Sequence, residues 1–141
     1  MPTAFALLLQ VCGLSHGEAA RFLNVRPDTV KSWATGRRSV PGDALTALAD
    51  LAAKIDAAAD AAMGQVAEVA TRAWTDPTVI ELGIAADDHE AQSLGWPCVG
   101  AHRAVLALTL ARGMAEGHRF AIVPRGLTLA TAAAADARER P

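Results

Sequence analysis

The chain has 141 residues and a net charge of −2, and 52% of its residues are hydrophobic although only 4% are aromatic. This length allows one domain or two small ones, and the alanine-rich composition predicts closely packed helices rather than an aromatic-rich core. No apolar run approaches the roughly 18 residues that a membrane span requires. Cys12 and Cys98 form no CxxC pair, so we expect two reduced thiols in a cytoplasmic protein.

Two helices are predicted near the start of the sequence. Ala4–Val11 is apolar, but it is short and follows no basic residue, so we interpret it as a first helix rather than a signal peptide. Ser15 and Glu18 have the spacing of a capping box, which predicts that the next helix begins at or near Gly17. Asn24 then tolerates the left-handed backbone that a sharp turn requires.

A third helix is predicted from Pro27 to a C-terminal cap at Gly36, because a proline at the first helical position loses no hydrogen bond. Val30 and Trp33 lie three residues apart and are expected to face inward. The remaining side chains of this segment are polar: Arg26, Asp28, Thr29, Lys31 and Ser32. They would face a DNA groove if the helices form a helix-turn-helix, or water if the pair is an ordinary helical hairpin.

Residues 14–41, LSHGEAARFLNVRPDTVKSWATGRRSVP, resemble the Cro/cI-repressor (Xre-like) helix-turn-helix family. They match its pattern L-S/T-Q-x-x-L/A-A-x-x-L-G/N-V-x-x-x-T-I/V-x-x-W-x-x-G-x-K/R-x-P nearly throughout. The departures are His16 in place of Gln, Ala19 at a large apolar position and Ala34 in place of a frequent Glu. The resemblance implies a unit that binds double-stranded DNA, with the third helix in the major groove.

On this hypothesis the predicted DNA contacts fall into two sets. The side chains expected to contact bases are Arg26, Asp28, Lys31 and Ser32, because Arg or Lys facing guanine and Asp accepting from cytosine are pairings that the major groove allows. The side chains expected to hold phosphates are His16, Thr29, Arg37 and Arg38. Residues 1–40 carry five basic and two acidic side chains, a net charge of +3, whereas residues 41–75 carry a net −3. This distribution favours DNA binding by the N-terminal segment.

A long helix is predicted from Gly42 to Ala73, because this stretch contains no proline and is rich in alanine. Its apolar positions recur at alternating steps of three and four residues: Leu45, Leu48, Ala52, Ile55, Ala59, Ala62, Val66, Val69 and Ala73. Such a stripe favours close helix packing, either along its own copy in a dimer or back onto its own domain. Gly64 favours a kink or break in this helix.

A strand, a helix and a second strand are predicted after Asp76-Pro77, which ends the long helix. The predicted elements are a strand over Thr78–Ala85, a loop over Asp87–Ser93, a helix over Val99–Glu116 capped by Gly117, and a strand over Phe120–Val123 closed by Pro124. The apolar side of that helix is predicted to hold Val105, Leu106, Leu108, Leu110 and Met114. The order favours parallel strands joined by a right-handed crossover. Since two strands alone are marginally stable, we expect them to pair with a second subunit. From Thr128 the chain is predicted to be a short helix or a frayed tail.

This downstream half carries a second, looser resemblance. The segment VPGDALTALADLAAKID, a W-P pair, a helix that begins near G-A-H-R-A and a strand after E-G-H-R resemble the YdiL-like regulators. The anti-CRISPR-associated repressors of phages and mobile elements lie near them. The resemblance implies that the tail is a dimerisation module and that the protein represses its own operon.

Several clusters of reactive residue types have explanations other than catalysis. The residues of Asp87–Glu90 could be metal ligands, but adjacent side chains point apart, which favours a solvated loop. Cys98 and His102 have the spacing of a nucleophile and its base, but nothing orients the base or supplies an oxyanion site. His102-Arg103 are expected to contact a partner subunit or water. His118-Arg119 could bind an anion, but their position before a strand favours a surface turn. With no GxGxxG, Walker loop or HExxH, we predict no enzyme, no cofactor and no metal site.

These observations together predict a mainly α protein with three parts. They are a DNA-binding domain over residues 1–75 that ends in the long helix, a small α/β dimerisation domain over residues 76–127, and a tail over residues 128–141. The predicted function is a sequence-specific transcriptional repressor that binds a palindromic operator as a homodimer. The alternative is an antitoxin-type interaction module, in which the acidic tail masks a toxin and DNA binding is secondary.

Overall fold

The computed structural model describes residues 1–72 and 79–127. The helices are α1 (Ala4–Cys12), α2 (His16–Leu23), α3 (Pro27–Thr35), α4 (Gly42–Arg72), α5 (Asp88–Ser93) and α6 (Val99–Ala115). The strands are β1 (Val79–Ile84) and β2 (Arg119–Pro124), and a 3₁₀ turn spans Arg125–Leu127. The protein is therefore mainly helical with a small two-stranded sheet, as predicted. The predicted helix end at Asp76-Pro77 and the tail from Thr128 lie outside the described residues.

Local signals in the sequence set the ends of α2 and α3. The predicted capping box is confirmed, since the Ser15 hydroxyl accepts from the Glu18 N–H (3.1 Å) and the Glu18 carboxylate accepts from the Ser15 N–H (3.0 Å). Helix α2 begins at His16, one residue before the predicted Gly17. Asn24 ends α2 in the left-handed conformation, with φ of 55°.

The start and the end of α3 also follow the prediction. Pro27 is its first residue, where the missing N–H leaves no hydrogen bond unmade. Gly36 follows its last turn with φ of 81°, a left-handed value that glycine adopts without strain. Between them Val30 and Trp33 are buried, as predicted.

Helix α4 packs back onto its own chain along one face, which touches α1 and α6. The buried positions of that face are Ala44, Leu48, Leu51, Ile55, Ala59 and Val66. Of the predicted stripe, Val69 is instead 44% exposed, and Ala73 lies outside the described residues. The helix continues through Gly64 without a break, because the flanking alanine-rich turns are strong helix formers.

The stretch from Asp87 to Ser93 is not the loop predicted from its polarity. Residues 88–93 form α5, whose N-cap is the Asp87 carboxylate accepting from the Glu90 N–H (2.9 Å). Glu90 in turn accepts from the Ala86 N–H (2.9 Å), and Ala91 is fully buried. A six-residue helix with one buried side chain has too few apolar positions to show a helical period, so its capping residues were the better signal.

Helix α6 ends at Ala115, with Glu116 as its C-cap and Gly117 following at φ of 88°, so the predicted cap at Gly117 was wrong by one residue. Its apolar side also differs from the prediction, since Met114 is 65% exposed. Its buried residues are His102 and a row of small or short side chains that repeats every four residues: Ala101, Val105, Thr109 and Gly113. The ring of Phe120 packs directly against Gly113.

The two strands are parallel, as predicted, and pair in register from Val79 opposite Arg119 to Ile84 opposite Pro124. Pro124 is the last residue of β2 rather than the residue after it. Since β2 is an edge strand of a two-stranded sheet, the missing N–H is tolerated. Ile80 is buried, whereas Val79 and Ile122 are 47% and 45% exposed.

One buried cluster contains residues from both sides of the segment 73–78. It combines residues of α1 to α4, among them Phe5 and Leu48, with Trp96, Ala101 and Val105 from the α5–α6 region. The buried residues of the predicted N-terminal domain and of the predicted α/β domain therefore belong to one cluster. Within residues 1–72 and 79–127, no helix has both the length and the apolar character needed to cross a membrane.

Candidate nucleic-acid interface

Helix α3 is held against the core by two apolar side chains on its inner side. Val30 is fully buried and Trp33 is 7% exposed. The ring of Phe5 on α1 meets the Trp33 indole edge to face, with 5.6 Å between ring centroids and 81° between ring planes, a favoured aromatic geometry. These contacts fix which side of α3 faces solvent.

A hydrogen-bonded link at the end of α3 holds it to α1. The Thr3 hydroxyl donates to the Ala34 carbonyl (3.0 Å) and accepts from the Ala6 N–H (3.1 Å), so one side chain caps α1 and contacts the last turn of α3. Sequence reasoning missed this role, although Thr is a common N-cap residue. The link restrains the position of the outward face of α3.

The four side chains predicted to contact bases lie at the start or along the outward part of α3. Arg26, the residue before the helix, and Asp28 and Lys31 are exposed, whereas Ser32 is half-buried. Residues 28, 31 and 32 have the three- and four-residue spacing that places side chains on one helix face. Within residues 1–72 and 79–127, none of the three charged side chains forms an ion pair.

The side chains predicted to hold phosphates lie on α2, on α3 and directly after α3. His16 is the exposed first residue of α2, and Thr29 is half-buried on α3. Arg37 and Arg38 are both exposed and follow the α3 cap. The Arg38 N–H donates to the Ser32 carbonyl (3.3 Å), which turns this basic pair back along the end of α3. Basic side chains therefore lie at both ends of one short helix that packs against α1.

Two carboxylates, on α2 and α5, have a role that sequence reasoning did not find, which is to cap α6. Glu18 on α2 accepts from the Gly100 N–H (3.3 Å) and Asp88 on α5 accepts from the Val99 N–H (2.9 Å). Burial by itself raises the pKa of Glu18, but hydrogen bonds from Ser15, Cys98 and Gly100 outweigh it and hold the pKa below its ordinary value. The capped end of α6 is therefore attached to α2.

The Cys98 thiol and the His102 ring each have a partner elsewhere in the structure. Burial, together with the hydrogen bond to Glu18 and its negative charge, raises the pKa of the Cys98 thiol to about 11, which is opposite to the change that activates a thiolate. The His102 ring accepts through Nδ1 from the buried Ala85 N–H (3.4 Å). Both side chains therefore have structural contacts at the base of α6.

Among residues 1–72 and 79–127, no group of three or more His, Cys, Asp or Glu side chains is placed to hold a metal ion. The polar segment 87–90, which the sequence marked as a set of candidate ligands, uses Asp87 and Asp88 as caps of α5 and α6. The chain matches no protein-family model and no curated protein.

Proposed function

We propose that this protein is a sequence-specific DNA-binding repressor whose helix α3 enters the major groove. The observation that carries the proposal is the outward face of α3, where Arg26, Asp28 and Lys31 are exposed and form no ion pair within the described residues. A buried inner side with Val30 and Trp33 supports it, because rigid placement is what base-specific contact requires.

Base contacts are assigned to Arg26, Asp28, Lys31 and Ser32, and phosphate contacts to His16, Thr29, Arg37 and Arg38. The assignment is supported by position, since the first set lies at the start or along the outward part of α3 and the basic pair follows its end. Phosphate contacts fix the orientation of a protein on the duplex, whereas contacts to base edges select the sequence.

The protein acts, on this proposal, as a homodimer on an inverted repeat upstream of its own gene. The exposed apolar side chains of Val79 and Ile122 on the small sheet support dimer formation, because a second subunit would cover them. A two-fold dimer with one α3 per subunit requires half-sites about one helical turn apart, roughly 34 Å.

Fluorescence anisotropy with labelled duplexes tests the proposal. We expect the palindrome upstream of the gene to be bound at least about a hundredfold more tightly than a random duplex of equal length at physiological salt. A duplex with five extra base pairs between the half-sites is the control, because a half turn places the second half-site on the opposite face of the DNA. Equal affinity for all three duplexes contradicts the proposal.

A further inference from the structure

The last turn of α3 leads directly into the basic pair Arg37 and Arg38. The last four carbonyls of a helix have no partner within the helix and need donors from elsewhere. In α3 the Ser32 carbonyl accepts from the Arg38 N–H (3.3 Å). The Trp33 carbonyl accepts from the Gly36 N–H (3.3 Å). These two hydrogen bonds close the turn that carries the basic pair, but they do not attach that turn to another part of the protein.

The next carbonyl of α3, that of Ala34, has its donor far away in the sequence. The half-buried Thr3 hydroxyl donates to it (3.0 Å) and accepts from the Ala6 N–H (3.1 Å) as the N-cap of α1. The Thr3 methyl group lies beside Gly36, since a Cβ at Gly36 would be 3.5 Å from it. Thr3, which lies outside the predicted helix-turn-helix, therefore attaches the end of α3 to the start of α1.

This hydrogen bond differs in kind from the aromatic contact between the same two helices. The rings of Phe5 and Trp33 meet through side chains on the inner side of α3, whereas the Thr3 hydroxyl binds the backbone of the last turn. A hydrogen bond keeps its strength only over a narrow range of distance and angle. Without the Thr3 donor the last turn of α3 is expected to fray, as helix ends commonly do.

We propose that Thr3 is a positioning residue for the DNA contacts at the end of α3. The inference rests on the proposed function, in which Arg37 and Arg38 hold phosphates while other side chains of α3 contact bases. Phosphate contacts set the register of a protein on the duplex. A basic pair on a frayed turn still attracts DNA of any sequence, but it does not hold the register that base contacts need. Loss of the Thr3 hydroxyl therefore weakens binding to the palindrome more than binding to a random duplex.

Anisotropy titrations of three variants with the palindrome and with a random duplex test this proposal. Thr3→Val keeps the shape of the side chain but has no hydroxyl, so we expect the ratio of specific to random affinity to fall at least about threefold, as for the loss of one neutral hydrogen bond. Thr3→Ser keeps both the hydroxyl and a favoured N-cap residue and should restore the wild-type ratio. Asp87→Ala removes the N-cap of α5 instead. It controls for a general loss of stability and should leave the ratio unchanged.

Amide hydrogen exchange of the same proteins without DNA is the second measurement. The Gly36 and Arg38 amides close the turn after α3, and they should exchange at least about threefold faster in Thr3→Val than in wild type or Asp87→Ala. Unchanged exchange at both amides overturns the proposal. If wild type prefers the palindrome and Thr3→Val keeps that preference, only the role of Thr3 is contradicted. If wild type has no preference, the proposed function fails as well.

Discussion

Glu18 near the start of α2 accepts a hydrogen bond from the backbone N–H of Gly100, which lies 82 residues further along the chain at the start of α6. The same carboxylate accepts from the Ser15 N–H and completes the capping box of α2. A second link runs in parallel, because Arg21 lies 3.7 Å from the carboxylate of Asp88, which caps α6 through Val99. The orientation of α2, and hence of the proposed DNA-binding surface, is therefore tied to α6.

Replacing Glu18 by alanine is expected to destabilise the fold by more than the loss of a residue that caps one helix. The starts of α2 and α6 both lose a hydrogen-bond acceptor. One cap contributes about 1 kcal/mol, so we expect Glu18→Ala to lower the free energy of unfolding by about 2 kcal/mol. Urea denaturation at pH 7 measures the change. Glu116→Ala, at the exposed end of α6, is the matched control and should change the free energy of unfolding by less than about 0.5 kcal/mol.

The stabilisation by Glu18 should also depend on pH in a defined direction. Because the pKa of Glu18 is lower in the folded state than in the unfolded chain, its contribution is present above the unfolded value of about 4.3 and is lost as the pH falls through the folded pKa. The stability difference between wild type and Glu18→Gln should therefore be constant from about pH 8 to 5 and shrink below about pH 4. A difference that grows on acidification contradicts this account.

The parts of this fold that the sequence predicted well are those that short-range signals determine. The ends of α2 and α3 follow from Ser15 with Glu18, from Asn24 and from Pro27 with the glycine at 36, all of which act within a few residues. The exposed polar face of α3 follows from the spacing of its buried residues. These signals need no knowledge of the rest of the chain.

The parts that the sequence did not predict depend on contacts between distant segments. The capping box accounts for Glu18 by itself, and no residue near it in the sequence indicates that its carboxylate also accepts from the Gly100 N–H. Asp88 sits in a polar stretch that is typical of a loop, although it caps α6. The inner face of α6 was not predicted from the spacing of strongly apolar residues, because small residues such as Gly113 allow close packing without being strongly hydrophobic.

A second pH effect on stability is expected at His102. Lowering the pH far enough to protonate its imidazole should destabilise the protein. Burial, and secondly the positive charge of Arg125, lowers the pKa of His102 below its ordinary value, while Glu90 opposes the shift. His102 therefore binds a proton less readily in the folded state than in the unfolded chain. The contribution of neutral His102 to stability is complete above about pH 6.5 and is lost as the pH falls through the folded pKa. Protonation also removes the Nδ1 acceptor of the Ala85 N–H.

Urea denaturation at pH 7.5 and pH 5.5 measures this effect. Wild type should lose stability between the two conditions, and His102→Gln, which cannot titrate, should lose less. His16→Gln, which removes an exposed imidazole from the start of α2, is the control. If His16→Gln flattens the pH dependence as much as His102→Gln does, the effect does not arise at His102.

Two glycine-to-alanine changes should have opposite effects on stability. A Cβ at Gly100 would collide with the Gly13 carbonyl and lie 2.9 Å from a Glu18 carboxylate oxygen, so α1, α2 and α6 could not keep their close approach. We expect Gly100→Ala to cost about 1–3 kcal/mol. At Gly64, inside α4, a Cβ would meet no heavy atom within 4 Å, so Gly64→Ala should stabilise by about 0.5–1 kcal/mol. Thermal unfolding of both variants measures the two changes in stability. A change in the same direction for both variants would refute this prediction.

Lys31→Ala and Arg38→Ala should separate base contact from phosphate contact on the proposed DNA surface. Lys31 lies on the exposed face of α3, so its loss should weaken binding to the specific palindrome by about 1–3 kcal/mol and relax the preference at one base position. Arg38 follows the helix, and its loss should weaken binding to specific and random duplexes alike while reducing the slope of log affinity against log salt by about one. Anisotropy titrations of each variant against both duplexes at several salt concentrations measure the two signatures. If both variants change the specificity ratio and the salt slope equally, the division of roles between the face of α3 and its basic end is wrong.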